Sequence, residues 1–187
     1  MKKEDIIAYM REGSETYFSI NPNKIYKIAK IISKQVIKGK KILIMGNGGS
    51  SIDAQHLAGE FVGMFENPKR KALPALALTS NMAIVTATGN DFGYETTFER
   101  QINAFAKEGD IVLALSTSGN SKNVLKAVER ANKLKCITVA FTGRHGGKLN
   151  GVAKYMIRID SDRTSIIQEA HVIVGHIISK IVEDDIS

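Results

Sequence analysis

From residue 3 to residue 38, apolar side chains recur at helical spacing: Ile6, Ile7 and Met10, then Ile25, Ile28, Ala29, Ile32 and Val36. The series breaks at Asn21-Pro22-Asn23, which predicts two helices, the second entered at Pro22, where a missing N–H costs nothing. Beyond residue 38 the pattern changes. Aliphatic runs at 41–45, 73–78, 111–115, 136–141 and 155–159 are short enough to be strands. Between them the helical period returns at 51–65, at 81–106 in two pieces, at 120–134, and in a last amphipathic run at 164–181. Strand followed by helix, repeated, predicts a five-stranded parallel sheet covered on both faces, an α/β fold of three layers. No internal repeat or Pro/Ser-rich linker interrupts it, so residues 1–187 read as one domain, with the helical pair at 1–38 available for packing and oligomerisation.

Composition narrows the function classes. With 43% hydrophobic residues in 187, the chain is long enough to hold a core without disulfide or structural metal. The single cysteine, Cys136, excludes a disulfide framework and any paired-cysteine zinc site. A formal charge of +7 invites a nucleic-acid reading. The cations are scattered, however, with local knots only at Lys38/Lys40/Lys41 and Lys69/Arg70/Lys71. No basic strand carries interleaved aromatics, so the excess is expected on a solvated surface facing an anionic small substrate. The N-terminus shows no long apolar stretch, and no window approaches the ~20 apolar residues of a membrane span. A cytoplasmic protein that engages neither nucleic acid nor membrane is the expectation.

Parallel sheets bind ligands at the carboxyl ends of their strands, so the informative residues follow each strand. After the first comes Gly46-Asn47-Gly48-Gly49-Ser50-Ser51, at a helix entrance. Glycines there let a ligand approach the backbone, and the hydroxyls can cap the helix or bind an anion. It is no dinucleotide fingerprint, because position 51 is Ser51 and not glycine, and no Gly-Lys-Ser/Thr follows to make a P-loop. After the third strand, Ser116, Thr117, Ser118 and Ser121 place four hydroxyls within six positions at another helix entrance, more than a cap requires and suited to a phosphate. His56 and Glu60, four residues apart, share one helix face and can act as a base–acid pair or as metal ligands. Such pairs are also common on solvated faces. The last helix carries Gln168, Glu169, His171 and His176 in an otherwise apolar run.

Taken together, the segments GNGGSSIDAQHLAGE, TGNDFGYE, LSTSGNSKNVLKA, FTGRHGGKL and IQEAHVIVGH span nearly the whole chain and resemble the sugar isomerase (SIS) domain proteins, most closely the phosphoheptose isomerase family. The resemblance implies a cytoplasmic homotetramer with active sites between subunits. It further implies conversion of sedoheptulose 7-phosphate to D-glycero-D-manno-heptose 7-phosphate through a cis-enediol, feeding heptose synthesis for lipopolysaccharide or capsule. On this resemblance Ser116, Thr117, Ser118 and Ser121 cradle the phosphate, and Asn47, Gly48, Gly49, Asn90, Asp91, Glu60 and Gln168 contact the substrate. His56, Glu60, Gln168 and His176 match the family's ligands for zinc, with Glu60 as base and His176 as acid.

A straight helix would separate Gln168 from His176 by about 12 Å along its axis, which favours completion of each site by a neighbouring subunit. Two departures stand out. Met64 and Ile166 occupy positions where the family pattern has arginine, and Arg163 is a possible substitute for the second. The rival reading is a non-catalytic SIS module, a sugar-phosphate sensor or a relative of initiator-associating regulators. Retention of both Glu60 and His176 favours an enzyme; an isomerase of another phosphosugar would use the same residues.

Overall fold

The structure, a computed structural model describing residues 1–187, contains one parallel sheet. Its strands are β1 Ile42–Gly46, β2 Ala75–Ala77, β3 Ile111–Leu115, β4 Ile137–Gly143 and β5 Tyr155–Ile159, in the order β2-β1-β3-β4-β5. The register runs from Ile42 beside Ile111 to Gly46 beside Leu115. Seven helices complete the chain: α1 Lys3–Phe18, α2 Pro22–Ile37, α3 Gly49–Val62, α4 Met82–Phe92, α5 Thr97–Phe105, α6 Lys122–Lys133 and α7 Thr164–Ile186.

Successive strand residues point to opposite faces, and both faces are dry. Ile42, Ile44, Leu113 and Phe141 join a core with α2, α3 and α7, while Leu43, Met45, Val112 and Ala140 join a second core with α5 and α6. This double burial explains why the strands read as unbroken apolar runs. The expected strand and helix order is thereby borne out, with differences at the ends. β2 has three residues; α3 begins at Gly49 and stops at Val62. α7 continues five residues past the expected end, because Val182 and Glu183 remain buried despite the acidic sequence around them.

The expectation that no window approaches a membrane span does not hold for α7, which is long and apolar enough, by length and composition, to cross one. Its apolar stripe, Ile166, Ile167, Ala170, Val174, Ile178 and Val182, is instead core. α1 packs less completely: only Gly13 and Thr16 are buried, and Ile6, Ile7 and Met10 face outward. Tyr9 and Tyr17 tether α1 by donating hydroxyls to Glu169 of α7 at 3.0 and 2.5 Å. Cys136 is buried beside β4, and burial raises its thiol pKa to about 11, far from a reactive thiolate.

His171 lies wholly inside, tilted against the Phe141 ring with centroids 5.8 Å apart, and neither ring nitrogen has a hydrogen-bond partner. Burial lowers its pKa from 6.5 to about 4. The folded state therefore refuses a proton that the unfolded chain accepts. Stability should be full above pH 6.5 and fall by about 3 kcal/mol as the pH drops toward 4. His171→Phe should flatten this part of the curve, read as urea midpoints at pH 7 and pH 4; an unaltered slope would remove His171 as its source.

Candidate active site

The chain runs from β1 outward to β2 and then returns to β3 on the other side of β1, so the direction of winding switches between β1 and β3. A crevice opens at the carboxyl ends of strands at such a point. Both loops singled out by sequence flank it. Asn47, in the loop after β1, exchanges amide hydrogen bonds with Asn123 of α6, each Nδ2 donating to the other's Oδ1 at 2.9 Å. The Tyr94 hydroxyl donates to the same Asn47 Oδ1 at 2.9 Å. The orientation of Asn47 is thus set by two residues that sequence reasoning missed. Asn123 had left one signal, a polar residue on the buried face of an amphipathic helix.

In the loop after β3, Ser116 and Ser121 bring their hydroxyls within 3.2 Å, and Ser118 Oγ accepts from the Asn120 N–H at 3.1 Å. The loop is pinned to β4 by the Gly143 N–H, which donates to the Thr117 carbonyl at 2.8 Å. Thr117 and Ser118 open on a cavity of about 310 Å³ that Asn120, Arg144, His145 and Thr164 also line. The four hydroxyls expected to act together therefore sit on one loop at the entrance to α6, where first-turn amides lack helical partners.

The other half of the site is the seam between α3 and α7, which run side by side in the same direction. Two glycines make the approach possible. A Cβ on Gly49 would stand 2.0 Å from Gln168 Nε2, and one on Gly175 would stand 2.4 Å from Leu57 Cδ2. The second contact is flanked by His176 on one helix and His56 on the other. Their Nε2 atoms lie 2.7 Å apart, with Glu60 Oε1 3.6 Å from His56 Nε2. Ligand atoms of His56, Glu60 and His176 fall within 4.8 Å of one another. Two imidazoles facing each other nitrogen to nitrogen need a proton or a cation between them, and with one carboxylate they make a donor set that suits zinc.

Gln168 stands near the start of the seam, donating Nε2 to Asp53 Oδ2 at 3.3 Å. Burial raises the Asp53 carboxyl pKa, opposed by Gln168 and His56. α7 is continuous from Thr164 to Ile186, so Gln168 and His176 are two levels of one seam. Asn90 and Asp91 lie exposed at the end of α4, Asn90 Nδ2 donating to Asp91 Oδ1 at 2.8 Å, with no side-chain bond to the other site residues. Of the positions without the family's arginine, Met64 is exposed beyond α3, whereas Ile166 is core. Arg163 bonds Glu12 at 2.8 Å and stacks on Tyr9, so within one chain it serves the α1 contact.

Arg70 corrects the reading of its basic knot as solvated surface: its side chain is 1% exposed and pairs with Glu183 at 2.8 Å. Its other N–H groups donate to the carbonyls of Glu60 (2.9 Å), Phe61 (2.9 Å), Gly63 (3.1 Å) and Lys71 (2.7 Å). Glu183 also accepts from the N–H groups of Phe65, Glu66 and Asn67 at 3.0, 2.8 and 2.9 Å.

A parallel sheet in this order, with a hydroxyl-rich loop and a glycine loop at its switch point, is the layout of a SIS domain. The SIS domain family model matches residues 6–143, and the chain belongs to that family. Within it, the chain is 46% identical to a probable phosphoheptose isomerase of Thermoplasma acidophilum over 96% of its length and 98% of the relative's. It is 42% identical to the phosphoheptose isomerase of Aquifex aeolicus over 97% and 96%. A solved phosphoheptose isomerase from Francisella tularensis superposes with a TM-score of 0.93 at 34% identity, covering 98% of this chain and all of that one. The chain is a member of the phosphoheptose isomerase family.

Proposed function

We propose that the protein interconverts sedoheptulose 7-phosphate and D-glycero-D-manno-heptose 7-phosphate. The observation that carries this is the meeting of Glu60 with the His56–His176 pair in a chain that aligns end to end with phosphoheptose isomerases. Ser116, Thr117, Ser118 and Ser121 hold the phosphate with neutral donors and fix the far end of the open-chain sugar. Asn47, Gly48 and Gly49, with Asn90, Asp91 and Gln168, bind its hydroxyls.

Glu60 removes a proton from C1 of the ketose, the C–H electrons form the C1–C2 double bond, and the C2 carbonyl oxygen takes a proton from His176. The resulting cis-enediol collapses when a proton returns at C2 and the C1 hydroxyl loses its own, which leaves the aldose. Zinc held by His56, Glu60, His176 and Gln168 would polarise the oxygens on which negative charge develops. The two levels of the α3–α7 seam and the outward apolar side chains of α1 support a homotetramer in which neighbouring subunits complete each site. The setting is cytoplasmic, the product entering heptose synthesis for lipopolysaccharide or capsule.

The test is conversion of sedoheptulose 7-phosphate by the purified protein, followed by NMR, with and without a chelator. Turnover lost to chelation and restored by zinc is expected; no turnover by the folded, zinc-loaded protein would overturn the assignment. Ser118→Ala should raise KM about tenfold with kcat little changed, the loss of one hydrogen bond to a charged group. An unchanged KM would take Ser118 out of the cradle.

A further inference from the structure

The Arg70–Glu183 pair lies outside the groups given a chemical role above, yet it bonds the backbone of Glu60 and of Phe65, the residue packed against His176. On one side, the carbonyl to which Arg70 Nη2 donates at 2.9 Å belongs to Glu60 itself. On the other, Glu183 Oε1 accepts from the N–H of Phe65, whose ring lies 5.5 Å from that of His176. Glu183 also follows His176 on α7 by seven residues, two helical turns, so both face the same side. One ionic unit, with side chains 1% and 2% exposed, thus fixes the backbone of the base and the wall against the acid.

We propose that Arg70 and Glu183 are positioning residues for the proton transfers, setting the separation of Glu60 and His176 through the Glu60 carbonyl and Phe65. The inference rests on the isomerase reading of those two residues. A planar guanidinium is required because five acceptors are served at once: Glu183 Oε1 and the carbonyls of Glu60, Phe61, Gly63 and Lys71. Lysine keeps the charge but has three N–H groups on one nitrogen.

Arg70→Lys should therefore lower kcat for sedoheptulose 7-phosphate about 10- to 100-fold, as loss of a group that orients a reacting residue does, with KM within about threefold. Val182→Ala, a cavity beside Glu183 in the core, supplies a destabilised control that should keep its kcat. In the metal-free protein, the imidazole resonances of His56 and His176 should shift in Arg70→Lys and stay in place in Val182→Ala. Should Arg70→Lys not fold, Glu183→Gln carries the same comparison. Wild-type kcat with unshifted imidazole resonances, or an equal loss of kcat in Val182→Ala, would overturn the positioning role. Absence of wild-type turnover would instead sink the isomerase reading alone, because the resonance comparison needs no substrate.

Discussion

Glu60→Gln is expected to lower kcat by about 10³-fold while leaving KM within a few-fold of wild type. The substitution keeps the volume and one carbonyl acceptor of the side chain and removes its basicity. General base catalysis contributes roughly 10²- to 10⁴-fold, and 10³ corresponds to about 4 kcal/mol of barrier. Binding should survive because the proposed phosphate cradle is the β3–α6 loop, whereas Glu60 sits on the α3–α7 seam beside His56, its Oε1 3.6 Å from that imidazole. Since Glu60 is also a candidate zinc ligand, kcat alone leaves its two roles mixed. Exchange of the C1 proton in deuterated solvent separates them. Zinc-loaded Glu60→Gln with bound sugar should show no exchange, and exchange at the wild-type rate would remove Glu60 from the proton transfer.

The sequence announces the sheet because double burial writes each strand as an apolar run and because the glycine and hydroxyl loops must follow β1 and β3. The unbroken apolar runs and the period-3.6 signal locate these elements to within a few residues, as Ile42–Gly46 and Ile111–Leu115 illustrate for the runs. Local pattern carries no information on which helices meet. That α3 and α7 run parallel, close enough for Gly175 to touch Leu57 and for His56 to face His176, is a tertiary fact; the motif resemblance supplied the His56–Glu60–His176 grouping that periodicity could not. Arg70 shows the same gap from the other direction. Flanked by Lys69 and Lys71, it reads as one more surface cation, because only the fold brings Glu183, more than a hundred residues later, to neutralise it. The partners of Asn47 were hidden for a related reason: Asn123 shows in the sequence only as a polar residue on a buried helix face and Tyr94 not at all, because hydrogen bonds between distant side chains leave no spacing to read.

Arg70→Ala should be the most destabilising single substitution considered, costing about 3–5 kcal/mol at pH 7. In a domain whose total stability is about 5–15 kcal/mol, that brings the variant near its unfolding threshold at room temperature. The loss has two parts. Glu183 stays buried without its countercharge, and the carbonyls of Glu60, Phe61, Gly63 and Lys71 lose a charged donor. The pH dependence follows from the carboxylate. Burial alone would raise its pKa, but Arg70 and the three backbone N–H groups prevail and hold it at about 2, against an ordinary 4.5. A folded-state pKa below the unfolded one means that stability from this group is full above pH 4.5 and is lost as the pH falls toward 2. Without Arg70 the carboxyl protonates more easily, so the gap between wild type and variant should be widest at pH 7 and narrow in acid. Urea midpoints at pH 7 and pH 3 measure it; a gap under 1 kcal/mol, or one that does not change with pH, would contradict the account. Replacing both partners, Arg70→Met with Glu183→Leu, should recover part of the loss by removing the stranded charge, although the freed carbonyls keep the recovery incomplete.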